Sequence, residues 1–430
     1  MVKAGRAGAK EGADEVVKTV VSAAAKEMNV VRYAQSANLN RLARTQIRVL
    51  TRPLPAFQVC GCAGLTLAIV LTMGLVRYLG LSPVVMVSIV AISVPTFLGL
   101  VMATKIITGE ERIVYYHHEI AVMLAAAALL WLTSEPLLPF LDITILGIGA
   151  FLACGRIGCL MVGCCHGRPH HWGIRYRPEH AAAGFTDYYV GVTLFPIQLV
   201  ESIWVAGVVI IGVLLILNGE PAGSALAWYV VAYDFGRFFF EFTRGDPDRP
   251  YMWGFSQPQW LSVVLMALVV VAEKASRLPL TDWHLVAAAL LVAAMLAIAT
   301  KRRLQHIPKH HLLHPRHVRE IAGLIGALAD RLPEASEPFS WTVFPERYSR
   351  LEAIGIGDTS MGVRVSAGKI VEPSAKTVHH YTLSYRGADM SEETAQLLAA
   401  VIGQLGHYGV CSRLIKGGQG VVHALFVAES

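Results

Sequence analysis

From Phe57 onward, apolar stretches of membrane-spanning length alternate with short polar breaks. A helix that crosses a bilayer needs about 20 mostly apolar residues. The pattern predicts membrane helices over 57–79, 83–104, 113–133, 137–160, 193–217, 223–243, 256–273 and 282–299. The last is Ala-rich and only mildly apolar, so the prediction is seven or eight spans. Two polar insertions interrupt this series, Gly163 to Thr193 and Arg244 to Gln259. Irregular segments beside membrane-embedded charges are candidate site walls. Beyond Thr300 the periodicity changes. A helix from Pro315 to Leu332, strands over 341–354, 361–371 and 377–386, a helix from Ser391 to Gly406 and a hairpin of 410–415 with 420–427 make a small α+β unit. The predicted fold class is an all-α polytopic membrane protein of seven or eight transmembrane helices with a small C-terminal soluble α+β domain. Its divisions are a basic head at 1–52, a transmembrane domain at 53–300, a basic and His-rich linker at 301–314 and the soluble domain at 315–430.

Composition sharpens this picture. With 54% hydrophobic and 16% charged residues, the chain is not an ordinary soluble protein. A long polar segment precedes the first apolar run, which argues against a cleavable signal peptide. The net charge of +6 is uneven, since residues 1–52 hold ten Lys or Arg and four acidic residues. That excess suits an anionic lipid surface. It does not suit nucleic acid, because no basic groove with interleaved aromatics accompanies it. Val16 to Leu50 is compatible with an amphipathic surface helix and equally with an unstructured tail. Seven cysteines, an odd count clustered in or beside the spans, argue against a disulfide framework.

Candidate chemistry sits where charge enters the apolar runs. Arg156 lies in a Gly- and Cys-rich segment, Ala153 to Pro169, at the end of the fourth span. Arginine is tolerated in hydrocarbon mostly for function. In the sixth span Asp234, Arg237, Glu241 and Arg244 are spaced three, four and three residues apart, which places all four on one helical stripe. Such a stripe is either a self-satisfied ion-pair ladder or the wall of a polar site; Arg156 adds a cation from another helix and points to a cationic site suited to phosphate. Gln198 and Glu201 share a face at the start of the fifth span, fit for capping or for orienting an arginine or a ligand hydroxyl. Gln259 at the mouth of the seventh poses the same choice. Tyr115-Tyr-His-His-Glu119 opens the third span and offers His117 and His118 as general bases or as part of an interfacial belt. Cys159, Cys164, Cys165 and His166 lack a second paired knuckle, and the His-rich run 306–317 has no defined ligand spacing, so no metal is expected.

Taken together, Gly155-Arg-Ile-Gly158, Gly163 with Gly167-Arg168, Pro196-x-Gln198-x-x-Glu201, Tyr233-x-x-x-Arg237-x-x-x-Glu241-Phe-x-Arg244 and Gln259-x-Leu261-Ser262 resemble the prolipoprotein diacylglyceryl transferase family over about residues 57–273. The resemblance implies a multi-pass enzyme of the bacterial plasma membrane. It would move the diacylglyceryl group of phosphatidylglycerol onto the lipobox cysteine thiol of a preprolipoprotein and release glycerol phosphate, without a cofactor. It implies catalytic roles for Arg156, Arg237, His117, His118, Glu201 and Glu241, and phospholipid binding by Arg156, Arg168, Gln198, Asp234, Arg244 and Gln259. Departures fall on the acceptor side: His117-His118-Glu119 replaces the family's His-Gly-Gly, and Cys159 and Cys164 replace an Asn and an acidic residue. A paralogous transferase with another acceptor, or a non-catalytic lipid-binding protein, are the alternatives. Basic residues before the first span favour a cytoplasmic N-terminus, whereas the resemblance implies an outward-facing one.

Overall fold

The computed structural model describes residues 39–109, 115–247, 249–304, 312–329, 355–371, 377–386, 389–408, 411, 413–417 and 420–427. Eight long helices occupy the membrane domain among these residues: α1 (Ala56–Tyr78), α2 (Pro83–Thr108), α3 (Tyr115–Leu132), α4 (Leu137–Val162), α5 (Ile197–Leu217), α6 (Ser224–Phe240), α7 (Gln257–Lys274) and α8 (Asp282–Leu304). Each falls on one of the eight predicted spans. Five of them, α1, α2, α4, α5 and α8, are long and apolar enough to cross a membrane. The remaining three are polar or short where they meet the site.

α4 is the central post, with most of its middle buried against α1 and α5. Gly149 makes that approach possible, because a Cβ there would stand 2.5 Å from the Tyr229 ring of α6 and 2.6 Å from Val209 of α5. Small residues at helix crossings let backbones pack closely in lipid. Asp142, buried in α4, accepts hydrogen bonds from the N–H groups of Gly223 (2.6 Å) and Leu226 (2.7 Å). It thereby caps the start of α6 from a neighbouring helix and satisfies donors that have no partner within that helix.

The basic head shows one departure from expectation. The end of the segment Val16–Leu50, which the pattern left open between surface helix and unstructured tail, is neither, because Gln46–Val49 (β1) pairs antiparallel with Arg52–Pro55 (β2). Pro53 and Pro55 cannot continue a helix, and Leu50 turns the chain at φ 55°. Residues 1–38 lie outside the described residues. The insertion after α4 folds as Pro169–Arg175 (β3) and Thr193–Leu194 (β4) around two single helical turns. The second insertion forms Tyr251–Met252 (β5) and Phe255–Ser256 (β6).

The C-terminal unit has α9 (Pro315–Ala329), β7 (Gly355–Asp358), β8 (Val363–Val371), β9 (Thr377–Tyr385), α10 (Glu392–Leu405), β10 (Arg413–Lys416) and β11 (Val422–Val427). Its sheet runs β10-β11-β9-β8-β7, antiparallel throughout. The strand predicted at 341–354 lies outside the described residues, as do 306–311 of the His-rich run. Among the described residues this unit has no separate core. Val318, Ile321 and Ile325 of α9, Tyr381 and Leu398 share one apolar cluster with Leu160, Tyr176, Phe185 and Tyr189 of the membrane domain.

Candidate functional site

α4, α5 and α6 bring the predicted charges to a single point. Arg156 Nη2 lies 3.0 Å from Glu201 Oε1, and Arg237 Nε lies 3.6 Å from the same oxygen. Arg244 Nη1 is 3.7 Å from Glu201 Oε2. Tyr233 donates to Glu201 at 3.0 Å. Glu201 is therefore the hub on which three guanidiniums converge, and its side chain is wholly shielded from solvent. Arg237 Nη2 also pairs with Glu241 Oε1 at 2.6 Å.

The stripe does not stay helical to its end. α6 stops at Phe240, Glu241–Thr243 tighten into a 3-10 turn, and Arg244 is extended at ψ 140°. Arg244 is held instead by backbone pairing across to Gly167. A side chain at Gly167 would collide with the carbonyl of Phe195, and one at Gly245 with the carbonyl of Gly167. These two glycines allow the two insertions to touch and so aim Arg244 into the cluster. Arg244 Nε binds Asp246 Oδ2 at 3.0 Å, and Arg249 binds both Asp246 (3.0 Å) and Glu241.

Asp246 and Arg249 are site residues that the sequence reading placed only in a polar insertion. In a loop no periodicity says which side chains point inward. Four guanidiniums (Arg156, Arg237, Arg244, Arg249) thus face three carboxylates (Glu201, Glu241, Asp246). The surplus is visible in unused donors. Arg156 Nε, Arg237 Nη1 and Arg244 Nη2 are buried with no hydrogen-bond partner among the described residues. Buried donors are ordinarily paired, so three unpaired guanidinium N–H groups are a donor set suited to an anion.

Other predicted residues stand around these donors. Arg168 donates through Nε to the Arg244 carbonyl at 3.0 Å, and burial draws its pKa below the ordinary arginine value. Burial likewise raises the Tyr251 phenol. Gln198 Nε2 donates to the Cys164 carbonyl at 3.0 Å. Gln259 accepts from Ser256 N (2.9 Å) and donates to Phe238 O (3.1 Å), while Ser256 Oγ donates to Glu241 at 2.8 Å. Its visible bonds therefore brace Glu241 from behind. Asp234 bonds to Tyr116 OH (2.5 Å), which also meets Ser262 Oγ at 2.8 Å. Asp234 thus belongs to a tyrosine cluster beside the guanidiniums.

The histidines are set apart from the hub. His117 is exposed and bonds with Gln257 at 3.2 Å. His118 packs on Phe97 and, with Glu119 and Tyr115, lines a cavity of about 540 Å³ that is otherwise walled mainly by apolar residues of α1, α2 and α4. Tyr115 links the cavity to the hub: its hydroxyl meets Glu119 (3.2 Å) and Tyr229 (2.9 Å), and its ring packs on Tyr233. The cavity is therefore apolar with one polar end, and the Tyr115 ring stands between that end and Tyr233 of the hub.

The architecture and this site define a membrane protein built around a buried cationic centre. The model of the prolipoprotein diacylglyceryl transferase family matches residues 113–273, so the resemblance drawn from the motifs is shown there, over a shorter stretch than the motifs suggested. A protein of Clostridium perfringens named phosphatidylglycerol–prolipoprotein diacylglyceryl transferase 2 is 32% identical over 130 residues, 29% of this chain and 47% of that protein. The protein of the same name from Streptomyces coelicolor is 33% identical over 148 residues, 32% of this chain and 45% of that one. A transferase of Clostridioides difficile is 35% identical over 107 residues, 24% and 38% respectively. The chain spans under half the length of each of these relatives. Arg156, Glu201, Arg237, Glu241 and Arg244 all lie inside the matched stretch.

Proposed function

We propose that this protein is a membrane transferase that moves the diacylglyceryl group of phosphatidylglycerol to a thiol, the lipobox cysteine of a preprolipoprotein, and releases glycerol phosphate. The observation that carries the reading is the set of unpaired, buried N–H donors on Arg156, Arg237 and Arg244. The scissile bond joins a glyceryl carbon to a phosphate oxygen, so negative charge grows on that phosphate as the bond breaks. Donors fixed where charge develops lower the barrier, and removing one typically costs about 10²–10³-fold in rate. Glu201 and Glu241 hold the guanidiniums in place, and the cavity beside His118 and Glu119 takes acyl chains. The acceptor thiol reacts as thiolate, so its proton first passes to a base or to solvent.

A second reading, a transferase with the same donor and another acceptor, draws support from Glu119, Cys159 and Cys164, which stand where the family resemblance leads one to expect other residues. Labelled phosphatidylglycerol with a lipobox peptide separates the cases. A diacylglyceryl thioether, lost at least about 100-fold in Arg156→Ala and Arg237→Ala, is the expected result. Glycerol phosphate released without peptide product favours the second reading, and stoichiometric lipid binding without turnover rejects both.

A further inference from the structure

The fold brings the sulfur of Cys159 to those of the adjacent Cys164 and Cys165. Cys159 lies in the last turn of α4, and Gly163 closes that helix at φ 91° with its N–H bonded to the Cys159 carbonyl at 2.9 Å. Cys165 sits in the left-handed region at φ 55°, a conformation that a residue with a Cβ keeps only where its surroundings impose it. As a result the Sγ atoms of Cys159, Cys164 and Cys165 all lie within 4.8 Å of one another. A zinc–sulfur bond of about 2.3 Å sets the sulfurs of a tetrahedral site roughly 3.8 Å apart, so no pair exceeds that spacing by more than about 1 Å. His166 is committed elsewhere: its Nδ1 bonds with the Gly167 carbonyl at 2.9 Å and its ring packs edge-on against Phe185 and Tyr189. Among the described residues the cluster therefore has three members, which leaves a fourth coordination position open.

The surroundings supply a second, independent argument. Arg156 and Arg244 both act electrostatically on Cys165, and Arg156 also on Cys159. Three thiolates on a divalent ion carry one net negative charge, which these guanidiniums balance. Three protein ligands with an open position is the pattern of reactive rather than structural zinc, and a thiol that coordinates zinc loses its proton.

We propose that Cys159, Cys164 and Cys165 hold one zinc ion whose open position takes the acceptor thiol, beside the arginines that receive the phosphate. This rests on the transferase reading above. The acceptor S–H proton passes to a base or to solvent as sulfur coordinates. A sulfur lone pair then forms the S–C bond to the terminal glyceryl carbon, and the C–O bond to the phosphate breaks with its electron pair leaving on glycerol phosphate. Nothing is oxidised or reduced. The thioether product, a weaker ligand than a thiolate, departs and leaves zinc on its three cysteines.

The test uses the full-length protein in lipid nanodiscs, stripped by a chelator and reloaded with zinc or cobalt(II) alone. One metal per chain is expected, with a thiolate-to-cobalt charge-transfer band that shifts when a cysteine-containing lipobox peptide is added. Cys159→Ser, Cys164→Ser and Cys165→Ser should each weaken binding by more than the about 10–100-fold typical of losing an outer-shell partner. Cys164 is exposed, so that variant tests the site without disturbing the core. No metal uptake by the unmodified chain, or uptake unchanged in all three variants, overturns the site. A band that ignores the peptide overturns the acceptor role. Transfer undiminished after metal removal sinks the zinc proposal and leaves the transferase standing. A loaded protein that transfers nothing to any thiol counts against the transferase instead, while the metal band still reports the site.

Discussion

At the scale of single residues, Glu201 is the most consequential group in the molecule. It is fully buried and faces Arg156, Arg237 and Arg244 together. Removing one partner of a buried ion pair strands the other charge and costs about 3–5 kcal/mol. Glu201→Gln is therefore expected to lower thermal stability in detergent or nanodiscs by that order, because three cations lose their shared counter-ion. Arg156→Ala should be far milder in the same assay, since Glu201 keeps two other guanidiniums. Equal stability of both variants would refute the hub. The sequence already marked Arg156, Arg237 and Glu241, because charge inside an apolar run has few bland explanations. It did not assign Arg249 or Asp246 to the site, and it grouped Asp234 with the arginines although its bond is to Tyr116.

At the scale of elements, helix positions followed from the apolar runs while their ends depended on neighbours. α6 begins where Asp142 of α4 caps it and ends three residues before Thr243, where the chain tightens into a 3-10 turn. Asp142→Ala is expected to destabilise the fold by about 1–2 kcal/mol, the upper range for loss of an N-cap, with Gly223 and Leu226 amides exchanging faster in hydrogen–deuterium measurements. Protection unchanged at those amides would reject the cap. β7, Gly355–Asp358, went unseen because Gly-Ile-Gly-Asp has no alternating apolar pattern. It is a strand because β8 supplies its partners. β1 and β2 were missed for the same reason, since hairpin pairing is a property of two segments and periodicity reads one.

At the scale of the whole molecule, the described end of the head (residues 39–52), the site and the described C-terminal unit meet on one face. Arg44 N bonds to the Met161 carbonyl beside the end of α4, and Arg302 at the end of α8 stacks over Phe242 and Phe255. Arg316 of α9 donates to the carbonyls of Pro247 (3.2 Å) and Arg249 (2.9 Å), so the C-terminal unit grips the loop that carries Arg249. Arg316→Ala should raise amide exchange at the described loop positions 246, 249 and 251 severalfold while leaving α4 and α5 protected. An unchanged loop would mean the contact does not restrain it. The same unit should be acid-sensitive. Burial lowers His317 and His423, and burial together with His423 lowers His380 to about 3. A depressed histidine folds neutral, and the unfolded chain takes up the proton first. Stability therefore holds above about pH 6.5 and falls as pH drops from there toward 3, by about 1.4 kcal/mol per pH unit for each fully shifted histidine. Amide protection of β9 and β11 at pH 7 and pH 5 checks this; equal protection would contradict it.

The sequence by itself determined the membrane class, the placement of the eight helices, and which arginines and glutamates enter the apolar runs. All of these are written in local pattern: the length of apolar runs, their period, and charge where charge is costly. Only the tertiary structure decided which of those charges meet. Glu201 became a hub, Arg244 left the helix to be aimed by Gly167 and Gly245, and Asp246 and Arg249 joined from a loop. The same folding drew Cys159, Cys164 and Cys165 within 4.8 Å of one another, where ligand spacing along the chain had argued against any metal. Convergence of this kind depends on helix ends, left-handed turns and backbone approach between distant segments, and none of these leaves a periodic mark in one sequence.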